Sequence, residues 1–165
     1  MGASGVAAGT FLKAKGLDPL VVDEGPAEKL QESLATLAAA GVRALPGLHS
    51  YEQLDVPDLV IVSPGVPTNH PLLEQARQAG ALVIGEIELA YRFCAAPIAA
   101  ITGTNGKGST TTMLRGMLQA GGLRAQAGGN IGAAPTGFAE GDLQVLVAEV
   151  SSFQLETIQF FRPRA

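Results

Sequence analysis

Ile101-Thr102-Gly103-Thr104-Asn105-Gly106-Lys107-Gly108-Ser109-Thr110 joins two different sequence patterns. Before it, Pro97 to Ile101 is a short apolar run of the kind that forms a buried parallel strand. After it, Met113, Leu114, Met117 and Leu118 recur at helical spacings of three and four. Glycines between a strand and a helix let backbone N–H groups turn toward one point, which the positive end of the helix also faces. Lys107 adds a full charge there, so Gly103 to Thr110 reads as a cradle for the phosphates of a nucleotide, ATP being the expected ligand. The strict phosphate-loop pattern has a glycine five positions before Gly106 and a hydroxyl residue directly after Lys107. Ile101 and Gly108 stand there instead. The loop is thus a variant, and either Ser109 or Thr110 is left to approach a magnesium ion, with Ser109 the first candidate.

Working outward, short apolar strands alternate with helices along the whole chain. Gly2-Ala3-Ser4-Gly5 reads as a Gly-rich turn opening a helix that runs to Gly16. Leu20–Asp23 reads as a strand ending in an acid, about Pro26 to Ala40 as a helix, Val42–Leu45 and Leu59–Val62 as strands. A helix over Pro71–Ala79, a strand over Ala81–Ile84 and a helix over Glu86–Phe93 follow. The grammar then restarts with the strand Pro97–Thr102, the loop and its helix, a strand at Arg124–Ala127, a Gly128-Gly129-Asn130-Ile131-Gly132 turn and a strand through Val145–Val150. Such alternation predicts an α/β protein of parallel sheets with right-handed crossovers. The expectation is a Rossmann-like domain over 1–95 lacking its first strand, then the beginning of a phosphate-loop α/β domain over 96–165, cut short.

Composition agrees with two small soluble α/β units. Of 165 residues 47% are hydrophobic, 21 are glycine and none is Trp, while the net charge of −4 provides no basic field for nucleic acid or anionic membrane. Residues 1–95 hold most of the acidity, and 96–165 are near neutral. Cys94 is the lone cysteine, which excludes a disulfide framework and fits a reducing compartment; it reads as a small buried hydrophobe rather than a nucleophile. The chain opens with no signal-peptide pattern and carries no apolar run of membrane-spanning length, so a cytoplasmic protein is expected, as a monomer.

In open α/β sheets ligands gather beyond the carboxyl ends of the strands. Asp23 closes one strand and could accept hydrogen bonds from a ribose or base, or simply form a turn. Ser63-Pro64-Gly65 closes another, readable equally as a tight turn. Asn130 could aim its amide at a ligand or tolerate a left-handed backbone. Glu149, ending a strong strand in the phosphate-loop half, is placed where a magnesium ligand is expected. His49 and His70 lack metal-ligand spacing and read as surface or turn histidines.

Taken together, Thr102–Lys107 (TGTNGK), Gly128–Gly132 (GGNIG) and Glu149–Glu156 (EVSSFQLE) resemble the Mur ligases, and within them those that add D-glutamate. Gly2-Ala3-Ser4-Gly5, Ser63-Pro64-Gly65-Val66-Pro67 with His70-Pro71, and Gly85-Glu86-Ile87-Glu88-Leu89 look like the same family. The resemblance implies ATP-dependent joining of D-glutamate to UDP-N-acetylmuramoyl-L-alanine in peptidoglycan synthesis, with Mg2+ and an acyl-phosphate intermediate. It implies catalytic roles for Lys107 and Glu149, ATP binding by Gly103 to Thr110, and magnesium held by Glu149 with Ser109. It also implies substrate binding by Ser4, Asp23, Ser63, Gly65, Asn130 and Ser151. A chain of these residues alone is expected not to turn over, since the family's later catalytic residues and D-glutamate-binding domain lie beyond it. The loop is shared with folylpolyglutamate synthetase, whose GKGS matches Gly106–Ser109, and a non-catalytic nucleotide-binding module is the other alternative.

Overall fold

The computed structural model describes residues 1–48, 50, 54–55, 57–139 and 141–165. His49 lies outside the described residues. The chain divides into two units, Met1–Ile84 and Gly85–Ala165.

The first unit alternates helices and strands as its apolar runs require. Helix α1 (Ala3–Ala14) is followed by β1 (Leu20–Asp23), and α2 (Gln31–Ala39) by β2 (Arg43–Pro46). β1 and β2 pair in parallel, Leu20 opposite Arg43 and Asp23 opposite Pro46. β3 (Leu59–Val62) and β4 (Leu82–Gly85) pair in turn, with α3 (Pro71–Gln78) between them. Leu37 and Val42 are buried with Met1 in this unit's core, and Val6, Val21, Leu30 and Leu34 pack around them. Two local readings change. Ser4 and Gly5 belong to the first turn of α1 rather than to a turn preceding it. The helix expected from Pro26 to Ala40 is broken at Leu30 into a 3-10 turn over Ala27–Lys29 and α2, consistent with Gly25 and Pro26 tightening the entry around the Asp23 carboxylate.

The second unit opens with α4 (Glu86–Phe93), then β5 (Ile98–Ile101), α5 (Lys107–Ala120), β6 (Ala125–Gly129), a 3-10 turn over Pro135–Phe138, β7 (Val145–Glu149) and α6 (Ser152–Leu155). Its sheet is ordered β5-β7-β6 and fully parallel, with Ile101 and Gly129 both opposite Glu149 at the carboxyl end. Helix α4 was expected on the N-terminal side of a division near residue 95. In the structure it belongs to the second unit, because Ile87 lies in that unit's core with Ile98, Leu146, Ala148, Val150 and Phe161, and Tyr91 meets Phe161 edge-on. Residues 164 and 165 run along the open side of β5, bonding to Ile98 and Ala100. Cys94 is half-buried, its thiol 3.6 Å from the Ala96 carbonyl. Helix α5 does not bury its methionines: Met113 and Met117 are 66% and 68% exposed, and Thr111 is its buried side chain. No helix among the described residues is long and apolar enough to cross a membrane.

Candidate functional site: the carboxyl end of the β5-β7-β6 sheet

β5 delivers the chain to Thr102, and four residues later Gly106 caps α5 with φ 76°, a left-handed conformation that favours glycine. The first turn of α5 therefore starts abruptly, with its N–H groups directed back over the loop. The Lys107 side chain folds in the same direction, its Nζ donating to the Gly103 carbonyl at 2.7 Å. A cation and a helix N-terminus thus sit over one short loop, a combination suited to a polyphosphate.

Across from the loop is Glu149, 3% exposed at the end of β7. Its Oε1 accepts from Asn130 Nδ2 at 3.1 Å, and its backbone carbonyl accepts from Asn130 N–H at 2.9 Å. Its Oε2 is buried with no hydrogen-bond partner among the described residues. Gly129 makes this packing feasible: with φ 113°, a Cβ there would lie 2.1 Å from the Glu149 carbonyl oxygen. Gly108, one residue after Lys107, turns its bare Cα toward the carboxylate, since an added Cβ would lie 3.3 Å from Oε2. An under-coordinated buried carboxylate facing a side-chain-free position of a phosphate-loop helix fits a hard divalent cation. Ser109 and Thr110, the next two residues, are both exposed. Among the described residues there is no cluster of three His, Cys, Asp or Glu side chains able to hold a metal by themselves, so Glu149 would share the ion with nucleotide oxygens and water.

Ser151 follows the same strand and opens α6. Its Oγ accepts from Gln154 N–H at 3.3 Å while its own N–H donates to Gln154 Oε1 at 2.8 Å, a capping box at the start of α6.

In the first unit the start of α1 lies beside Ser63. An added Cβ at Gly5, in the first turn of α1, would lie 3.6 Å from Val21 and 3.7 Å from Ser63 Oγ, so the helix start packs on β1 and on the residue that follows β3. Ser4 is the preceding residue of that turn, Asp23 ends β1, and Gly65 is exposed in the turn closed by Val66 N–H on the Ser63 carbonyl. Asp23 is already engaged: Oδ1 accepts Gly25 N–H at 2.7 Å and Oδ2 meets the Met1 amine. His70 follows the turn that opens α3. Its Nδ1 accepts Leu72 N–H at 3.3 Å and caps α3, while Nε2 lies 3.3 Å from Glu24 Oε1.

Known proteins of similar sequence and fold identify the family. The model for the Mur ligase MurD-like N-terminal domain matches residues 1–85. The chain belongs to the MurD-like Mur ligases. Relatives named UDP-N-acetylmuramoylalanine--D-glutamate ligase are 44% identical over 165 residues in Koribacter versatilis and 43% over 163 in Desulfatibacillum aliphaticivorans, covering 99% and 98% of this chain. In both cases the chain spans 36% of the relative's length. Among solved structures, a pseudomurein peptide ligase type C from Methanothermus fervidus is 25% identical with a TM-score of 0.50 over 92% of this chain and 31% of its own. A UDP-N-acetylmuramate:L-alanyl-gamma-D-glutamyl-meso-diaminopimelate ligase from Neisseria meningitides shares the fold at TM-score 0.58 and 19% identity, over 97% of this chain and 52% of its own.

Sequence reasoning passed over Glu86 and Glu88, which lie in the family-like GEIEL stretch and look like solvated acids at a helix start. Glu88 is fully buried. It accepts from the backbone N–H groups of Gln159, Phe160 and Phe161 and from Arg92 Nε at 2.8 Å. Burial pushes its carboxyl up, but the hydrogen bonds from Gln159, Arg92, Phe161 and Phe160 outweigh burial and hold it below the usual carboxylate range. Glu86, 1% exposed, has Thr136 alone as a hydrogen-bond partner among the described residues, and there burial dominates and raises its carboxyl above that range. The legible signal was the alternation Glu-Ile-Glu-Leu, which places both acids in one helical turn beside core residues.

Proposed function

We propose that this chain supplies the sugar-nucleotide-binding and phosphate-binding parts of an ATP-dependent ligase that joins D-glutamate to UDP-N-acetylmuramoyl-L-alanine. The observation that carries the reading is the buried, unpartnered Oε2 of Glu149 facing Gly108 at the start of the Lys107 helix, in a chain whose relatives bear that ligase name. In the reaction, an alanyl carboxylate oxygen bonds to the γ-phosphorus as the bond to ADP breaks. The D-glutamate amine then attacks the acyl carbon, phosphate leaves, and the nitrogen loses a proton.

The difficulty is to bring a carboxylate against a triphosphate. Lys107 and the first N–H groups of α5 would offset that repulsion and stabilise charge on the transferring phosphoryl group. Magnesium, when bound, would neutralise the terminal phosphate oxygens, and Glu149 is the residue placed to hold it. Asn130, on Glu149, would meet the muramoyl-alanine portion. Ser4, Asp23, Ser63 and Gly65 would take the uridine diphosphate portion, backbone N–H groups of α1 meeting phosphate and Asp23 meeting neutral donors. Remote binding of the nucleotide then fixes the reacting end. The test is ADP release by the complete ligase containing these residues. It should require UDP-N-acetylmuramoyl-L-alanine, and amide formation should require D-glutamate; release with a folate substrate instead would overturn the reading.

A further inference from the structure

The buried acid Glu86 has no part in the chemistry described above. Its Oε1 accepts two hydrogen bonds from a single residue, Thr136, from N–H at 2.8 Å and from Oγ at 2.7 Å. Its Oε2 is buried without a partner among the described residues. Thr136 is itself 2% exposed, so an apolar residue at position 86 would leave a buried N–H and a buried hydroxyl unpaired. The backbone behind Glu86 is held too, Gly85 N–H donating to the Thr157 carbonyl at 3.0 Å.

What Thr136 ends is the loop that carries Asn130. The loop's incoming end is fixed at Glu149 through Asn130 N–H and Nδ2. Its middle folds back by a bridge of Gly128 with Ala133 and a Gly129 N–H bond to the Ala133 carbonyl at 3.3 Å. Its outgoing end is fixed at Glu86. Six residues from Asn130 to Pro135 are thereby strung between two buried glutamates.

We propose that Glu86 is a positioning residue: through Thr136 it fixes the outgoing end of this loop and so sets where Asn130 meets the sugar-nucleotide. The inference rests on the functional reading above for the identity of that ligand. Neither the loop geometry nor the Thr136 contact requires charge, and burial favours the neutral acid, so an amide should serve as well.

In the complete ligase, Glu86→Ala should raise KM for UDP-N-acetylmuramoyl-L-alanine about tenfold and leave KM for ATP within about twofold. Glu86→Gln should restore the first value to within about twofold of wild type. Thr136→Val, which keeps the N–H and loses the hydroxyl, should move KM in the same direction by less. Hydrogen exchange on the same proteins should show residues 130–134 exchanging about tenfold faster in Glu86→Ala, with residues 103–107 unchanged. A lowered Tm with both KM values and loop exchange unchanged would overturn the proposal and leave Glu86 a purely structural residue. A wild-type enzyme that ignores the sugar-nucleotide would overturn the functional reading instead; exchange at 130–134 would still decide whether Glu86 holds the loop.

Discussion

The two units begin a helix beyond a strand end in the same way and equip it differently. At α1 the neighbours are Ser63 and a half-exposed Asp23 whose oxygens are already engaged. At α5 they are Lys107, folded over its loop, and Glu149, buried with one oxygen unmatched. The first arrangement offers amides, hydroxyls and a satisfied acid, which suits recognition of a ligand that does not change. The second has a full positive charge on Lys107 and an under-coordinated negative one facing the next residue, Gly108, which suits charge that moves during reaction. Two helix starts of one grammar thus differ in the charge set around them.

The contrast breaks most sharply at Lys107. Lys107→Ala in the complete ligase should lower kcat by on the order of 10³-fold or more, with Tm unchanged, because among the described residues the side chain bonds to the Gly103 carbonyl alone, at the loop surface. Turnover within tenfold of wild type at saturating ATP would remove the asymmetry between the units.

Next in size is Gly129→Ala. A Cβ 2.1 Å from the Glu149 carbonyl, at φ 113°, cannot be accommodated without moving β6 off β7, at a cost on the order of 3–5 kcal/mol. Chemical denaturation would measure it, and a cost under about 1 kcal/mol would show that the close approach at Glu149 is not required.

A smaller effect sharpens the comparison inside α4. Glu88's carboxyl is held low, so the stability it gives is present above the ordinary carboxylate value and lost as pH falls through the lowered one. Glu86's is raised, so the stability of its neutral form is present below the ordinary value and lost as pH rises through the raised one. Glu88→Gln should therefore cost about 2 kcal/mol near neutrality and less in acid. Glu86→Gln should be neutral in acid and gain a few degrees in Tm as pH rises. Parallel pH–Tm curves for the two variants would contradict the opposite shifts.

The strand–helix alternation, the phosphate loop and Glu149 were legible because each rests on local spacing: an apolar run, a glycine turn, an acid after a strand. Less legible were features set by packing between distant segments. Leu30 ends a helix that its apolar period would continue, since the chain must first turn around Asp23. Met113 and Met117 keep helical spacing and still lie exposed, because α5 turns Thr111 inward. Glu86 and Glu88 look solvated until Thr136 and residues 159–161, 50 and more positions away, arrive as partners. Position 108 was legible as a departure from the usual loop pattern, but only the fold shows that it is the position facing Glu149.

Glu149 is proposed to hold a magnesium ion against the phosphates of ATP. The most direct test is magnesium dependence of turnover in the complete ligase, wild type against Glu149→Gln, with Tm measured on both. The amide keeps the Asn130 contact through its oxygen and removes the charge. Half-saturation by magnesium should rise at least about tenfold and turnover should fall on the order of 10²-fold, with Tm within a few degrees. An unchanged magnesium requirement, or a collapsed Tm with full activity per folded molecule, would contradict the account.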